Sequence, residues 1–353
     1  MSSTEGINTI VIGGGQAGMA AGYYLHQMKD NFVILDENIR IGETWRKRWD
    51  SLRLFTPNQA NHLPGLKFPG ADLYFPTKDE VATYLEEYAR QFNLPIQHGS
   101  KVDSLQKNEK GYKVLVGSNT YHARNVIVAT GAFHTPYIPA FAKELNEGIF
   151  QLHSASYHRP ADVIGQNILV VGAGNSGVEI ALELAKDNRN VWLAGRDVGR
   201  IPADTFGKIL GGKPFWWFMR TVMTIRTPIG RRMRAKVLTH GNPLIRARRD
   251  EATEAGVELV PRLIGVVDGK PQLESGRVLS ADGVVWATGF HPDYEWINLP
   301  VFNADGYPRH EQGVVNETPG LFFLGLHFQA RLTSDLLGGV GNDARYITKK
   351  LIL

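Results

Sequence analysis

The stretch Thr9-Ile10-Val11-Ile12-Gly13-Gly14-Gly15-Gln16-Ala17-Gly18 returns 159 positions later as Ile168-Leu169-Val170-Val171-Gly172-Ala173-Gly174-Asn175-Ser176-Gly177. Each copy is a short buried-strand run, then G-x-G-x-x-G, then a small-residue helical pattern. The spacing has a physical reason. The first glycine allows a tight turn, the second lets a pyrophosphate approach the backbone, and the third lets helix pack on strand, so that the helix N-terminus faces an anion. With 38 glycines in 353 residues a single match carries little. Composition alone yields roughly 0.4 chance matches, and about 0.03 once three apolar residues must precede the first glycine. Two hits in strand–turn–helix context therefore read as two βαβ dinucleotide units, an internal duplication rather than a solenoid repeat.

Working outward, each unit has a second strand, Phe32 to Leu35 and Val191 to Ala194, and a third that ends in Ala-Thr-Gly. These thirds are Val126 to Ala129 before Thr130-Gly131, and Gly283 to Ala287 before Thr288-Gly289. The fold class is α/β with two Rossmann-like dinucleotide-binding domains. The ends of the second strands differ. The first ends at Asp36-Glu37, where a carboxylate can accept hydrogen bonds from ribose hydroxyls. The second ends at Gly195-Arg196 with no carboxylate, and a guanidinium there suits a 2′-phosphate, with Arg200 assisting. The residues thus predict one non-phosphorylated dinucleotide and one NADPH.

The length is that of two domains, and 43% hydrophobic with 21% charged residues fits a globular chain with a large core. The absence of cysteine excludes disulfide frameworks, thiolate metal sites, cysteine nucleophiles and dithiol reductases together. No H-E-x-x-H occurs, the 11 histidines are scattered, and G-x-S-x-G is not satisfied around Ser176, so neither a metal site nor a serine elbow is expected. Met1 to Asn8 is polar and runs straight into a strand, and no run approaches 18 apolar residues. The expectation is a cytoplasmic protein without an integral membrane segment. Leu52 to Phe75 reads as a long loop, of a kind usually functional or disordered. Thr77 to Phe92 reads as an amphipathic helix capped by Thr77.

Charge is uneven. Arg196 to Arg249 holds 13 basic and 2 acidic residues, whereas the rest of the chain is net acidic. The start of this block suits cofactor phosphate. Its middle, 211–237, sets Phe215, Trp216, Trp217 and Phe218 beside arginines. Such a segment can rest on anionic lipid as a peripheral contact, or form a helical insertion packed beside the second unit or lining a substrate entrance. Nucleic acid is disfavoured, because the aromatics are clustered rather than interleaved with the cations. Oligomeric state is left open, a homo-oligomer included.

The chain resembles class B flavin-containing monooxygenases, specifically a bacterial YUCCA-like branch. The resemblance rests on Gly42-Glu43-Thr44-Trp45-Arg46, Tyr74-Phe75-Pro76-Thr77-Lys78, Ala129-Thr130-Gly131, His153 to Tyr157, Gly172 to Gly177 with Glu179, Ala287-Thr288-Gly289-Phe290 and Leu336 to Ala344. It implies FAD in the first unit and NADPH in the second, with the NADPH domain inserted into the FAD domain. The expected division is 1–155 for the first part of the FAD domain, 156–290 for the NADPH domain with a basic helical insertion at 200–250, and 291–353 for the return to the flavin. It implies flavin contacts at Gly13, Gly15, Gln16, Ala17, Gly18, Asp36, Glu37, Thr44, Trp45, Arg46, Val102, Ala129, Thr130, Gly131, Gly325 and Leu337. On the nicotinamide side it implies Gly172, Gly174, Asn175, Ser176, Gly177, Arg196, Arg200, Ala287, Thr288 and Gly289.

The family's F-x-G-x-x-x-H-x-x-x-Y/F signature is matched by Gly148, His153 and Tyr157, with one extra residue between glycine and histidine and Asn146 in place of phenylalanine. A lone histidine in such a segment reads first as a structural linker. Pro57 falls where the family carries an asparagine near flavin and nicotinamide, and Asn58, one residue along, is the candidate catalytic amide. The implied activity is transfer of one oxygen atom from O2 to a small organic substrate, NADPH reducing FAD and dioxygen adding at flavin C4a. The alternative is an NADPH-consuming FAD oxidoreductase that passes electrons to another acceptor or to O2 as peroxide.

Overall fold

In a computed structural model, which describes residues 6–201, 209–240 and 242–352, the two units form two separate parallel sheets. The N-terminal part contributes β1 (Thr9–Ile12), α1 (Gln16–Gln27), β2 (Phe32–Leu35), α2 (Glu43–Arg46), α3 (Lys78–Gln91) and β3 (Ile96–Gln97). A meander follows, β4 (Ser104–Asn108), β5 (Gly111–Val116) and β6 (Asn119–Ala123), before β7 (Asn125–Val128), β8 (Thr135–Pro136) and β9 (Phe150–His153). The second unit holds β10 (Asn167–Val171), α4 (Asn175–Lys186), β11 (Asn190–Ala194), α5 (Lys213–Thr221), α6 (Pro228–His240), α7 (Arg249–Glu254), β12 (Glu258–Val260), β13 (Leu263–Val267), β14 (Lys270–Leu273) and β15 (Gly283–Trp286). The chain ends with β16 (Phe290–His291), β17 (Leu321–Phe323) and α8 (Val340–Thr348). Residues 202–208 and 241 of the predicted insertion, and the terminal residues 1–5 and 353, lie outside the described residues.

The first sheet runs β17-β7-β1-β2-β3 and the second β12-β11-β10-β15-β9. All their pairings are parallel. In each, the fingerprint strand lies between its βαβ partner and the strand that ends in Ala-Thr-Gly. The strand order therefore reverses beside the glycine turn, which is where open α/β sheets hold ligands. β9 precedes the expected junction at residue 156 yet forms the edge of the second sheet beside β15. β17 returns to the first sheet beside β7. The short β16–β8 pair joins the two connecting segments.

β1, β2, β7 and β15 are buried along their whole length, as parallel strands covered on both faces must be. Alternate residues face opposite ways. Val11, Ile34 and Ile127 pack with α1, α3 and α8, while Ile10, Ile12, Val33 and Val126 pack on Tyr112, Val114 and Tyr121 of the meander. The second sheet repeats the plan, with Ile168 and Val170 under α4 and Leu169 and Val171 against Leu263 and Leu273. Thr77 caps α3 reciprocally with Glu80, an arrangement that stabilises a helix by about 1 kcal/mol.

The long loop expected over Leu52 to Phe75 has no regular element beyond a short turn at Asn58–Ala60, but it is tightly held. The Tyr84 hydroxyl accepts from Leu63 N and donates to Leu66 O, and the Tyr88 hydroxyl donates to Pro64 O at 2.6 Å. The described part of the predicted insertion is largely helical. Trp216, Met219, Met223 and Val237 pack on Ala60, Phe328 and Leu332, that is, on the first unit's loop and the return segment. The backbone joins there as well, Ile225 N to Ala330 O at 3.0 Å and Leu332 N to Met223 O at 2.9 Å.

Within the return segment His310 accepts Gly313 N on Nδ1. Burial, helped by the nearby Arg234 charge, pushes its pKa down to about 4. The folded imidazole thus stays neutral where the unfolded one takes a proton. Its folded pKa lies below the unfolded value of about 6.5, so its contribution to stability is lost as pH falls below about 6.5, by at most about 1.4 kcal/mol per pH unit down to pH 4. Acid unfolding followed by circular dichroism should show a shallower fall between pH 6.5 and 4 in His310→Asn than in the parent protein. Equal slopes would contradict this assignment.

Candidate functional site

The two glycine turns have nearly the same geometry. Gly13 and Gly172 lie at φ +106° and +109°, a region open to glycine, and each lies against the carbonyl of its Ala-Thr-Gly strand. A Cβ on Gly13 would stand 2.6 Å from Ala129 O, and one on Gly172 would collide with Ala287 O. Gly18 and Gly177 pass so close to the carbonyl oxygens of Gly13 and Gly172 that no side chain fits. Gly15 and Gly174 are the N-caps of α1 and α4, extended at ψ −170° and −173°, and nothing lies within 4 Å of where their Cβ would be. Neither helix has a side-chain cap. Its first N–H groups therefore face open space with a positive helix end behind them, a cradle for a diphosphate. Gly131 and Gly289, at φ +86° and +85°, form the opposite lip, with nothing within 4 Å of where a Cβ would be.

The second-strand ends separate the two cradles. Asp36 is buried, and its Oδ1 accepts from Asn38 N at 2.7 Å and Asn38 Nδ2 at 3.0 Å. Its carboxylate lies directly beside Gly14, and Ser100 N donates to Asp36 O at 2.7 Å, which brings the Val102 strand entry to the same corner. Glu37 is exposed. In the second unit Gly195 packs onto Ala173, and Arg196 follows it as an exposed side chain. Arg200, also exposed, bridges to Leu244. Asn175 holds that neighbouring segment: its Nδ2 donates to Pro243 O at 3.3 Å and its Oδ1 accepts from Ile245 N at 3.2 Å. This places Arg246 2.9 Å from Glu179, whose carboxyl burial holds above its ordinary range despite the arginine. Arg246 was not anticipated from sequence, because nothing in its spacing links it to α4.

The return segment closes the first cradle. Gly325 faces Ala17, with 3.0 Å between the Ala17 methyl and the place of a Gly325 Cβ. Gln16 Nε2 donates to Asp335 O at 2.6 Å, and Gly338, next to buried Leu337, lies against Ala60 O. His327 Nδ1 pairs with Asp335 Oδ2 at 2.7 Å. Burial alone would lower this imidazole's pKa, but the hydrogen bond and charge of Asp335 raise it, favouring a cation near the cradle. Sequence reading missed His327 and Asp335, since they form a pair only through the turn between them. In α2, Arg46 donates to Ile41 O and pairs with Glu86 at 3.0 Å, while Lys78 Nζ donates to Arg46 O. Trp45 is half-buried beside it and Thr44 is exposed.

His153 is a linker. Its Nδ1 accepts from Ala155 N at 3.0 Å, which leaves Nε2 to donate to Gly289 O at 3.1 Å. Burial, with the Gly289 bond opposing it and Arg48 assisting, lowers its pKa and keeps it neutral. Tyr157 is fully buried and donates to Glu183 at 2.8 Å. Thr288 Oγ1 donates to Tyr137 O, fixing the other lip residue. Asn58 is 1% exposed. Its amide nitrogen donates to Pro69 O and Ala71 O within the long loop, and its Oδ1 is buried with no partner among the described residues. An acceptor left open in this way is expensive unless a ligand donor reaches it.

Two anion cradles on duplicated βαβ sheets, one rimmed by a carboxylate and one by arginines, define an oxidoreductase that handles two nucleotides. The open Gly15 and Gly174 positions, the uncapped helix ends and the unpartnered Asn58 oxygen fit such groups. Residues 10–205 match the model of the pyridine nucleotide-disulphide oxidoreductase family, and the chain belongs to that family on its class B flavin monooxygenase branch. It is 39% identical to a protein described as an uncharacterized oxidoreductase CzcO-like from Geobacillus kaustophilus, over 98% of both chains. It is 28% identical to the probable indole-3-pyruvate monooxygenase YUCCA9 of Arabidopsis thaliana, over 85% of this chain and 79% of that one. The structure of a flavin-containing monooxygenase from Stenotrophomonas maltophilia superposes with a TM-score of 0.79 at 25% identity, covering 99% of this chain and 98% of that one. The family's disulphide chemistry has no counterpart here, because the chain has no cysteine.

Gly177→Val should abolish nucleotide binding at the second cradle, measured by titration calorimetry, while binding at the first persists, because only the second cradle is forced open. Loss of both nucleotides together would mean that the cradles are not independent.

Proposed function

We propose that the chain is an NADPH-dependent flavin monooxygenase that transfers one oxygen atom from O2 to a small organic substrate. FAD occupies the first cradle and NADPH the second. The observation that carries this reading is the difference between two otherwise equal cradles. Asp36 offers an acceptor for ribose hydroxyls at the first, whereas Arg196 and Arg200 offer cations for a 2′-phosphate at the second. The flavin, once reduced by NADPH, supplies the oxygen chemistry.

The protein's own residues bind, orient and exclude water. The N–H groups at Gln16 and Asn175 receive the diphosphates, with Gly13, Gly18, Gly172 and Gly177 shaping the turns. Gly131 and Gly289 form the lips, and Ala129, Thr130, Ala287 and Thr288 lead into them. Thr44, Trp45, Arg46, Val102, Gly325 and Leu337 complete the flavin side, and Ser176 the nicotinamide side. The long loop held by Tyr84 and Tyr88 keeps water from the reaction space, a condition for coupling NADPH oxidation to product rather than to peroxide. Asn58 is the proposed catalytic amide, its unpartnered oxygen accepting from a cofactor donor.

Heating the purified protein should release FAD, identified by its absorbance and chromatographic mobility; a protein that neither carries nor takes up flavin overturns the proposal. Arg196→Ala should raise KM for NADPH about ten- to a hundredfold, the worth of a charge-assisted hydrogen bond, with the NADH value unchanged. Equal KM changes for the two nucleotides would remove Arg196 from the phosphate site. Asn58→Ala should raise the share of consumed NADPH recovered as hydrogen peroxide, and an unchanged share would place Asn58 in the loop's scaffold alone. Peroxide equal to NADPH consumed in the parent protein, for every substrate tried, would favour the oxidase alternative.

A further inference from the structure

A cleft of about 520 Å³, whose lining shares no residue with either cradle, opens between α5 and the return segment. Arg220, Arg226 and Arg331 line it together with Trp217, Thr221 and Gln312, and no Asp or Glu does. The three cations are not equivalent. Arg331 is held at 3.2 Å by Asp343, itself 1% exposed, so its charge is largely answered. Among the described residues the Arg226 guanidinium donates to the neutral Gln312, at 3.1 Å. Arg220 is half-buried and makes one long hydrogen bond, Nε to Trp216 O at 3.3 Å, with no carboxylate partner among the described residues. A partly dehydrated guanidinium without a counterion is unfavourable unless an anion answers it, and burial lowers the pKa of this one.

Trp217 in the lining is 59% exposed, and nearby in sequence Phe218 is 38% exposed and Ile209 and Leu210, just before α5, 54% and 80%. Between residues 209 and 239 there are seven lysines and arginines and no acidic residue. Cations set behind exposed aromatic and aliphatic side chains are complementary to one kind of occupant, an anionic head attached to an apolar chain.

We propose that this cleft is a docking site for anionic phospholipid at a membrane surface, the phosphate head lying between Arg220 and Arg226 and the acyl boundary meeting Trp217, Phe218 and Leu210. No helix of the described residues is long and apolar enough to cross a membrane, so the contact is peripheral. The site does not depend on which cofactors the cradles take.

The test is co-sedimentation of the full-length protein with vesicles of phosphatidylcholine alone, or of phosphatidylcholine with 30 mol% (roughly physiological) phosphatidylglycerol. Binding should require the anionic lipid and weaken with salt. The double variant Arg220→Gln/Arg226→Gln should lower the partition coefficient roughly 25-fold, about fivefold for each charge removed. Circular dichroism and the melting temperature check that the variants fold. Should the double variant unfold, Arg226→Gln alone, at an exposed side chain, gives the fivefold step. Trp217→Ser, which keeps every cation, should weaken binding and remove the blue shift of tryptophan emission on vesicles. Equal binding to neutral vesicles, or unchanged binding in the folded double variant, overturns the proposal. Inorganic phosphate or glycerol 3-phosphate binding as tightly as the vesicles would also overturn it, in favour of a soluble anion.

Discussion

At two places in this chain a helix begins so near the strand before it that only hydrogen fits between them. Gly18 sits over the carbonyl of Gly13, and Gly177 over that of Gly172. Because no side chain holds the backbones apart, each helix starts immediately at the strand's end. Its first N–H groups then project into the gap where the strand order reverses. The remainder of the architecture can be read as support for those two gaps. Parallel strands buried on both faces keep the turns rigid, and the Ala-Thr-Gly strands press against Gly13 and Gly172 from the other side.

Neither gap is complete in its own stretch of chain. The first depends on residues far along the chain: Gly325 beside Ala17, Asp335 accepting from Gln16, and Gly338 against Ala60. The second depends on the segment Pro243 to Arg246, which Asn175 and Glu179 hold beside α4. The electrostatics combine local and distant residues. Asp36 gives the first gap a buried carboxylate and the return segment adds a histidine–aspartate pair, while the second has a rim of arginines. His153, at the edge of the second sheet, holds its own turn to Gly289 beyond the neighbouring strand as a neutral imidazole, so the signature histidine serves geometry.

The helical insertion has a double character. Its buried face, Trp216, Met219 and Met223, is spent on the first unit's loop and the return segment. Its outer face keeps the cations and the second tryptophan exposed. An amphipathic helix normally turns its apolar side inward and its charges to water. Here apolar residues occur on both sides, and the outward Trp217 lines a cleft whose lining has no acidic residue.

Much of this was legible in the residue order. Strand runs, glycine turns, the Thr77 cap and the contrast between Asp36 and Arg196 are local patterns, set by backbone conformation and by side chains a few positions apart, so a single sequence determines them. The entry of Phe150–His153 into the second sheet before the expected junction was not legible, since a four-residue edge strand carries no pattern that names its partner. The surface chosen by Trp216, the Asn58 nitrogen turned to Pro69 and Ala71, and the pairing of His327 with Asp335 were likewise undetermined. Each is settled by which distant segments meet and by which buried polar groups find partners there, and those energies come into being only when the chain has closed on itself.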